Sequence, residues 1–534
     1  MNRVAADPLI VETPSGAVRG SVVKGIRSWR GIPYGAAPVG PLRFRSPRPP
    51  EPWDGVRSAQ AFGPAAPQHE GKAMPLPDGI VQSEDCLTLN VFAKDTEADT
   101  DPAYGGADSG ADDYEFEGDD GMDGLRPVMV WIHGGAYVAG CSAPTLYDPV
   151  HLIERGDVVF VSVNYRLGAL GFLDFSAFAT EEEPFDTNLG LRDILLALRW
   201  VKDSIAAFGG DPGNVTVFGE SAGGGCVTTL LTSPLAEGLF HRAIAESSPA
   251  TSVYDEVRAA AVSHRFLDLL GVSPDDPAQL RRVSPERLSA AAFELVAAVA
   301  GDAPGSLAIA PVVDGDVVPV HPLDAYRAGT QLPIPLIIGT NHDEATLFRM
   351  MKSPLMPITG ASVHTMFAEL AAEHPEVAAA EARIEAAYPE FPKRTTPAEL
   401  ARDAGFRMPS IWLASAHSRR AATWMYRFDH STPMLKMLGL GATHGTEIAY
   451  VFGTLGVNKK DPSFDLGGLP EAERVSASMQ AHWLAFATGG DPGSWPVYEE
   501  DTRSTLVIGH EEQIVDDPDA AVRLAWGDEV IGFI

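Results

Sequence analysis

The chain has little cysteine and no long apolar run. Its only cysteines are Cys86, Cys141 and Cys226, and they are too widely spaced to suggest a disulfide framework or a zinc cluster. No run of about 18 apolar residues suggests a membrane span. The N-terminal residues also lack the apolar core of a secretory signal. These absences predict a cytoplasmic protein with no membrane attachment.

Positive charge is scarce as well. The 40 basic residues, of which nine are lysine, stand against 72 acidic residues, and the formal net charge is -32. Nucleic acids and anionic membrane surfaces are both bound through basic patches, so the composition argues against either as a partner. The hydrophobic fraction of 45% is typical of a globular protein with a large buried core.

One segment differs from the rest of the chain. Residues 95–124 contain twelve acidic residues and no lysine or arginine. Such a segment buries too little apolar area to offset the entropy lost on ordering, so we expect a mobile surface insert. It lacks the spacing of an EF-hand calcium loop. Apart from this insert, residues 1–534 are expected to form a single domain.

Short apolar runs rich in β-branched residues recur along the chain and predict buried strands. They lie at 128–132, 158–163, 215–218, 335–339 and 424–428. A helical pattern spans 191–208, and apolar strands separated by helices are typical of a mainly parallel sheet covered on both faces. The sequence therefore predicts an α/β fold. The alanine-rich segments at 256–300 and 362–405 are expected to form helices that cover the C-terminal edge of the sheet.

The stretch FGESAGGG, residues 218–225, has the pattern G-x-S-x-G between a predicted strand and a predicted helix. This context is that of a nucleophile elbow, in which Ser221 projects its hydroxyl at a helix N-terminus. The stretch WIHGGAY places Gly134 and Gly135 directly after another strand. Their backbone amides, with that of Ala222, are candidates for an oxyanion hole.

A serine nucleophile requires a base, and the base requires a carboxylate that orients it. In α/β enzymes with a nucleophile elbow, the three residues follow one another along the chain in the order serine, acid, histidine. Asp343 and Glu344 follow the strand at 335–339, and either could supply the acid. His444 lies in a glycine-flanked loop after a late strand and is the preferred base. The competing histidines are His342, His430 and His482.

With these residues in place, the chain resembles the type-B carboxylesterase family over nearly its whole length. The matching stretches are WRGIPYGAAPVGPLRFRSP, SEDCLTLNVF, VMVWIHGGAYVAG, VNYRLGALGFL, NLGLRDILLALRWVKDSIAAFGGDPGNVTVFGESAGG, LFHRAI and HGTEIAYVFG. The resemblance implies an α/β-hydrolase fold and neither metal nor organic cofactor. It implies Ser221, Glu344 and His444 as the triad, because the family's acid is the second of its D-E pair. It also implies the same three amides as the oxyanion hole.

The resemblance further implies a serine carboxylic ester hydrolase that acts on a small-molecule ester as a monomer or small homo-oligomer. A carbamate or polyester hydrolase with the same triad is one alternative, and a non-catalytic binding protein on the same fold is another. Five aromatic or apolar side chains are candidates for the substrate pocket, although each is expected more often in a core: Tyr137, Phe348, Phe406, Trp412 and Met434.

Three scaffold features follow from the same resemblance. Two buried ion pairs are expected, Arg43 with Glu84 and Arg166 with Asp193. In secreted relatives the cysteine that corresponds to Cys86 is disulfide-bonded to an upstream cysteine, but this chain has Ala66 in the upstream stretch. That disulfide cannot form here, which favours an intracellular enzyme.

Overall fold

A computed structural model describes residues 7–71, 74–95, 124–373, 376–457 and 461–527. Apart from Asp95 and Gly124, the predicted acidic insert lies outside the described residues. Its mobility therefore stays a prediction. The cysteines that the sequence contains are all described, and each is a buried free thiol. Among the described residues, none of the helices combines the length and the hydropathy that crossing a membrane requires.

The strands of the described residues are distributed from the N-terminal to the C-terminal region. They are β1 (Ile10–Thr13), β2 (Gly16–Arg19), β3 (Ser21–Val23), β4 (Ile26–Pro33), β5 (Val56–Ser58), β6 (Thr88–Lys94), β7 (Arg126–Ile132), β8 (Val159–Val163), β9 (Gly210–Glu220), β10 (Arg242–Glu246), β11 (Leu336–Asn341), β12 (Thr423–Phe428), β13 (Ser504–Ile508) and β14 (Glu512–Asp516).

The α-helices alternate with the central strands and are concentrated in the second half of the chain. They are α1 (Val150–Gly156), α2 (Gly168–Gly171), α3 (Leu189–Ser204), α4 (Ala222–Leu230), α5 (Glu256–Leu270), α6 (Pro285–Asp302), α7 (Pro322–Ala328), α8 (Thr346–Met351), α9 (Gly360–Glu373), α10 (Glu376–Ala386), α11 (Thr396–Arg402), α12 (Met408–His417), α13 (Pro433–Met437), α14 (Ile448–Phe452), α15 (Leu469–Gly489) and α16 (Ala520–Trp526).

Eleven of the described strands form one sheet, in the order β14-β13-β12-β11-β10-β9-β7-β8-β6-β4-β3. The strands from β13 to β8 are parallel, and antiparallel strands complete both edges. The α/β fold with a mainly parallel centre is thus confirmed. The five predicted strands correspond to β7, β8, β9, β11 and β12, whereas β10 was not predicted.

Successive side chains of a strand point to opposite faces of the sheet, and helices cover both faces, so both sets of side chains are buried. In β7, Val130 and Ile132 belong to the core on one face, which α3 covers. Met129 and Trp131 belong to the core on the other face, which α15 covers. Continuous apolar strands without polar alternation follow directly from this three-layer arrangement.

The two alanine-rich segments form helices, as predicted. The first contains α5 and α6, and α6 packs against α2 just after the end of β8. The second contains α9 to α11 and leads through a π-helical turn, Asp403–Arg407, into α12. Both segments therefore reach the C-terminal edge of the parallel strands.

Both predicted ion pairs are confirmed. Arg43 binds both carboxylate oxygens of Glu84, with 2.6 Å between Nε and Oε1. Arg166 binds Asp193 through Nε to Oδ2 at 2.8 Å and Nη2 to Oδ1 at 2.7 Å. Asp193 is fully buried, and the amide of Arg166 donates to it as well. The pair ties the segment after β8 to α3.

Asp193→Asn is expected to lower the free energy of unfolding by about 3 to 5 kcal/mol, because it leaves the buried guanidinium of Arg166 without its charge partner. Urea unfolding at neutral pH measures the loss. Asp302→Asn is the matched control, since Asp302 is exposed in its pair with Arg265 and should cost less than about 1 kcal/mol. Equal effects of the two substitutions would contradict the prediction.

Candidate active site

Ser221 occupies the tight turn between β9 and α4. Its φ of 58° and ψ of -124° lie outside the usual regions for a residue with a side chain. The turn is held by two backbone hydrogen bonds, from the Ser221 amide to Glu246 and from the Gly225 amide to Ser221. The predicted strand, turn and helix are therefore present. The serine hydroxyl stands at the start of α4, on the C-terminal edge of the sheet.

Two glycines allow this turn to pack against β7. A Cβ on Gly219 would lie 2.6 Å from the carbonyl oxygen of Ile132 and 2.7 Å from the carbonyl carbon of Gly223. A Cβ on Gly223 would overlap the same carbonyl oxygen. Any side chain at either position would push the turn away from β7, so glycine is required by backbone proximity.

His444 joins the serine to a buried carboxylate. Its Nε2 lies 2.9 Å from Oγ of Ser221, and its Nδ1 lies 2.6 Å from Oε2 of Glu344. Glu344 is fully buried and accepts two further hydrogen bonds, from the Ser247 hydroxyl at 2.6 Å and from the backbone amide of Asn341 at 2.7 Å. These bonds hold the carboxylate in one orientation. It can therefore position the imidazole with Nε2 facing the serine.

Asp343 is the other candidate for the acid, and its contacts differ from those of Glu344. Its Oδ2 accepts a hydrogen bond of 3.0 Å from the amide of Ala442, in the loop that carries His444. Its Oδ1 lies 3.1 Å from Nδ1 of His342. Asp343 thus supports the histidine loop through its backbone, whereas Glu344 contacts the imidazole itself.

The three competing histidines lie elsewhere. His342 pairs with Asp343 at the surface, and His430 is buried near Glu471. His482 contacts the carbonyl of Pro492 and the carboxylate of Glu512. The structure thus brings His444, rather than these three, to Ser221.

The candidate oxyanion hole lies beside the serine. A Cβ on Gly134 would be 3.1 Å from Cβ of Ser221, so the loop after β7 runs directly along the nucleophile. Gly135, Ala136 and Tyr137 all have positive φ, which turns this loop sharply. Within the described residues, no hydrogen bond uses the amides of Gly134, Gly135 or Ala222. These donors are available to an oxygen atom of a substrate.

Sequence reasoning missed a group of buried carboxylates around the histidine. Glu220 precedes the serine, and its Oε1 lies 3.2 Å from Nε2 of His444. Oε1 of Glu447 lies 3.3 Å from the hydroxyl oxygen of Ser247, and its Oε2 accepts a hydrogen bond from the side-chain amide of Asn341. Both residues stand inside motifs that were recognised. An acidic residue in an otherwise apolar stretch was the signal that could have found them.

Burial and the close carboxylates shift the pKa values of Glu220 and His444. Burial raises the pKa of Glu220 to about 7, with a contribution from Glu344 and against the effect of His444. Burial by itself would lower the pKa of His444, but the carboxylates of Glu220 and Glu344 outweigh it and raise that pKa to about 9. The imidazolium form is therefore stabilised, and His444 is a stronger base than a free imidazole.

Two of the five candidate pocket residues lie at the site. The ring of Phe406 is 4.7 Å from the imidazole of His444, and the ring of Phe348 is 5.4 Å from it. Tyr137 and Trp412 belong to the same core cluster as Phe406, but neither ring contacts His444 among the described residues. Phe406 stands in the π-helical turn before α12, a type of distortion that is frequent at functional sites. An apolar wall therefore flanks the histidine.

Known proteins share this architecture. The model of the carboxylesterase family matches residues 7–525. Para-nitrobenzyl esterase of Bacillus subtilis (strain 168) is 37% identical over an alignment of 524 residues, and the match covers 96% of this chain and 97% of that protein. Phenmedipham hydrolase of Pseudarthrobacter oxydans is 31% identical over 94% of this chain and 95% of that protein. A solved structure of a PNB esterase has a TM-score of 0.83 and 36% identity, and the match covers 98% of this chain and 100% of that chain.

The fold and these likenesses define a serine ester hydrolase with the α/β-hydrolase fold. The chain belongs to the carboxylesterase family. The expectation of a carboxylic ester hydrolase is thereby confirmed.

Glu220→Gln is expected to move the acid limb of the pH profile of kcat/KM to lower pH, by about one pH unit or more. A base must be unprotonated to act, so activity falls as the pH drops through the pKa of His444. Removing the negative charge of Glu220 lowers that pKa. Ester hydrolysis measured from pH 5 to 10 tests the shift, with the exposed Glu154→Gln as control. A limb that stays in place in the Glu220 variant would contradict the electrostatic argument.

Proposed function

We propose that Ser221, His444 and Glu344 form the catalytic triad of this carboxylic ester hydrolase. The observation that carries the proposal is the continuous chain of contacts from Oγ of Ser221 through both ring nitrogens of His444 to Oε2 of Glu344. Ser221 and His444 are only partly buried, whereas Glu344 is fully buried. The two groups that react are thus accessible to a substrate.

In the first step the hydroxyl oxygen of Ser221 attacks the ester carbonyl carbon while its proton passes to Nε2 of His444. The carbonyl oxygen becomes an oxyanion, and the amides of Gly134, Gly135 and Ala222 are proposed to donate to it. When the intermediate collapses, the alcohol oxygen leaves with the proton from Nε2. The acyl group remains bound to Ser221 as an ester.

In the second step His444 removes a proton from water, and the resulting hydroxide attacks the acyl carbon. Collapse of this intermediate releases the carboxylic acid and returns the proton to Oγ of Ser221. His444 is positively charged in both intermediates. Glu344 and Glu220 lie next to its two nitrogens, and their negative charge stabilises this imidazolium.

We further propose that the substrates are small esters with an apolar group beside His444. Support comes from Phe348 and Phe406, whose rings flank the imidazole. The likeness to para-nitrobenzyl esterase supports aromatic esters as substrates. The described residues carry no feature that favours carbamates or polyesters. The serine, histidine and glutamate in contact argue against a non-catalytic binding protein.

We also propose that the enzyme works in the cytoplasm. Three buried cysteine thiols without a disulfide fit a reducing compartment. The site would then meet esters that enter or form inside the cell.

Ser221→Ala is expected to abolish hydrolysis of para-nitrophenyl esters and covalent labelling by an organophosphonate, because no acyl-enzyme can form without the hydroxyl. His444→Ala should be nearly as damaging, since the two groups act as a unit and their losses do not add. Unfolding curves should confirm that both variants fold. Hydrolysis at the native rate by the Ser221 variant would refute the proposed nucleophile.

Glu344→Gln is expected to lower kcat by about 10⁴, because the imidazole loses the carboxylate that orients it and stabilises its charged form. Asp343→Asn is the matched control on the adjacent residue. It should be mild, since asparagine keeps an oxygen that can accept from the Ala442 amide. A crippled Asp343 variant beside a tolerated Glu344 variant would move the acid to residue 343.

Phe406→Ala is expected to shift the ester preference toward longer acyl or alcohol groups, because it opens space beside His444. The ratio of kcat/KM for a long-chain to a short-chain para-nitrophenyl ester should rise about tenfold. Leu524→Ala is the control, since Leu524 is an exposed residue of α16. An unchanged ratio in the Phe406 variant would remove this residue from the pocket.

A further inference from the structure

Two helices of the second alanine-rich segment bring together three side chains that can bind a metal ion. His364 lies on α9, and Glu381 and Glu385 lie four residues apart on α10. Residues at i and i+4 share one face of a helix, so both carboxylates face the imidazole. The potential ligand atoms of the three residues all lie within 4.8 Å of one another.

Hydrogen bonds within the described residues do not satisfy all the polar atoms of these three side chains. Nδ1 of His364 is 3.1 Å from Oε1 of Glu381 and 3.2 Å from Oε1 of Glu385. A single N–H can serve one of these oxygens well. Oε1 of Glu385 is shielded from solvent and has no hydrogen-bond partner among the described residues. A solvent-shielded carboxylate oxygen without a hydrogen bond would be stabilised by a cation bound between it and Nδ1 of His364, which lies 3.2 Å away.

The dimensions suit an ion of the size of Zn²⁺. Bonds of about 2.0 to 2.1 Å in tetrahedral geometry place neighbouring ligand atoms about 3.3 Å apart. The two distances from Nδ1 of His364 lie close to this separation. Small movements of the side chains would thus admit the ion.

The ligand types also limit which ion fits. An imidazole nitrogen favours zinc and similar transition metals over calcium or magnesium, and carboxylates accompany it in many zinc sites. Two carboxylates and a neutral imidazole would balance the charge of a divalent ion. Half of the His364 side chain is exposed, which leaves room for water as a fourth ligand and a path of entry.

We propose that His364, Glu381 and Glu385 form a binding site for a divalent transition-metal ion, Zn²⁺ in particular, that links α9 to α10. Binding replaces the proton on Nδ1 of His364 with the metal. The ring of Phe391 meets the imidazole edge to face at 5.5 Å and restricts its orientation. The site is structural rather than catalytic, because its three residues are distinct from those proposed to act on the ester.

The site would stabilise the helices that reach the active-site edge. α10 packs against α16, and α9 packs against α11, which leads to the turn that carries Phe406. A metal that joins α9 to α10 therefore opposes separation of this layer from the sheet. No motif marked the site in the sequence, because His364 is separated from Glu381 by 17 positions.

Calorimetric titration of the chelator-treated full chain with ZnCl₂ tests the proposal. The wild type is expected to bind one Zn²⁺ ion tightly, and His364→Ala and Glu385→Gln should each weaken this binding at least about tenfold. His151→Ala is the matched control, since His151 is an exposed histidine with a single carboxylate neighbour, Glu154, at 3.6 Å. It should bind as the wild type does. Equal affinity and stoichiometry in the wild type and the His364 variant would overturn the site.

Three further measurements separate loss of the metal site from misfolding and report the coordination of the bound ion. Zn²⁺ should raise the Tm of the wild type, and the gain should be lost when a chelator is added. Hydrolysis of para-nitrophenyl esters reports whether each variant is folded. Co²⁺ bound to the wild type should show the intense visible absorption of four-coordinate cobalt. A spectrum like that of Co²⁺ in water, together with an unchanged Tm, would also overturn the proposal.

Discussion

The contact on which the active site depends is the one between the end of β7 and the turn at Ser221. Gly219 and Gly223 allow the turn to reach the carbonyl oxygen of Ile132. The positive φ of Ser221 costs about 1 to 3 kcal/mol and persists because β9 and α4 hold both sides of the turn. As a result the serine hydroxyl and the amides after β7 stand together by backbone geometry alone. Donors placed in this way need no reorganisation during a reaction.

A second constraint is the burial of negative charge around one imidazole. Four glutamates, Glu220, Glu246, Glu344 and Glu447, are each at most 5% exposed. Burial raises the pKa of Glu246 to about 8, against the hydrogen bond that it accepts from Trp483, and burial also raises the pKa of Glu447. Burial thus favours the protonated forms of Glu246 and Glu447, whereas the carboxylates of Glu220 and Glu344, which lie next to His444, favour its charged form. The acyl transfer that we propose for Ser221 would pass through that charged histidine twice.

Much of the fold could be predicted because its signals are local. The strands β7, β8, β9, β11 and β12 are apolar throughout, and a sheet with both faces covered requires such strands. β10 escaped prediction since its sequence, RAIAE, begins and ends with a charged residue. In the structure its terminal Glu246 is buried and bonded to Trp483, which lies 237 positions away. No short window of sequence contains that partner.

The sequence by itself determined the elbow at Ser221, the glycines of the candidate oxyanion hole and the family resemblance that selected Glu344 and His444. These features are recognised from short stretches of consecutive residues and from the conformational preferences of turns, both of which depend little on the rest of the chain. Only the tertiary structure decided what surrounds them: that Glu220 and Phe406 lie against His444, and that His364 meets two glutamates of another helix. His444 is 223 positions from Ser221 and 100 from Glu344. Whether residues so far apart along the chain meet is decided by the order of strands in the sheet and by helix packing. No local pattern of the sequence contains both partners of such a contact.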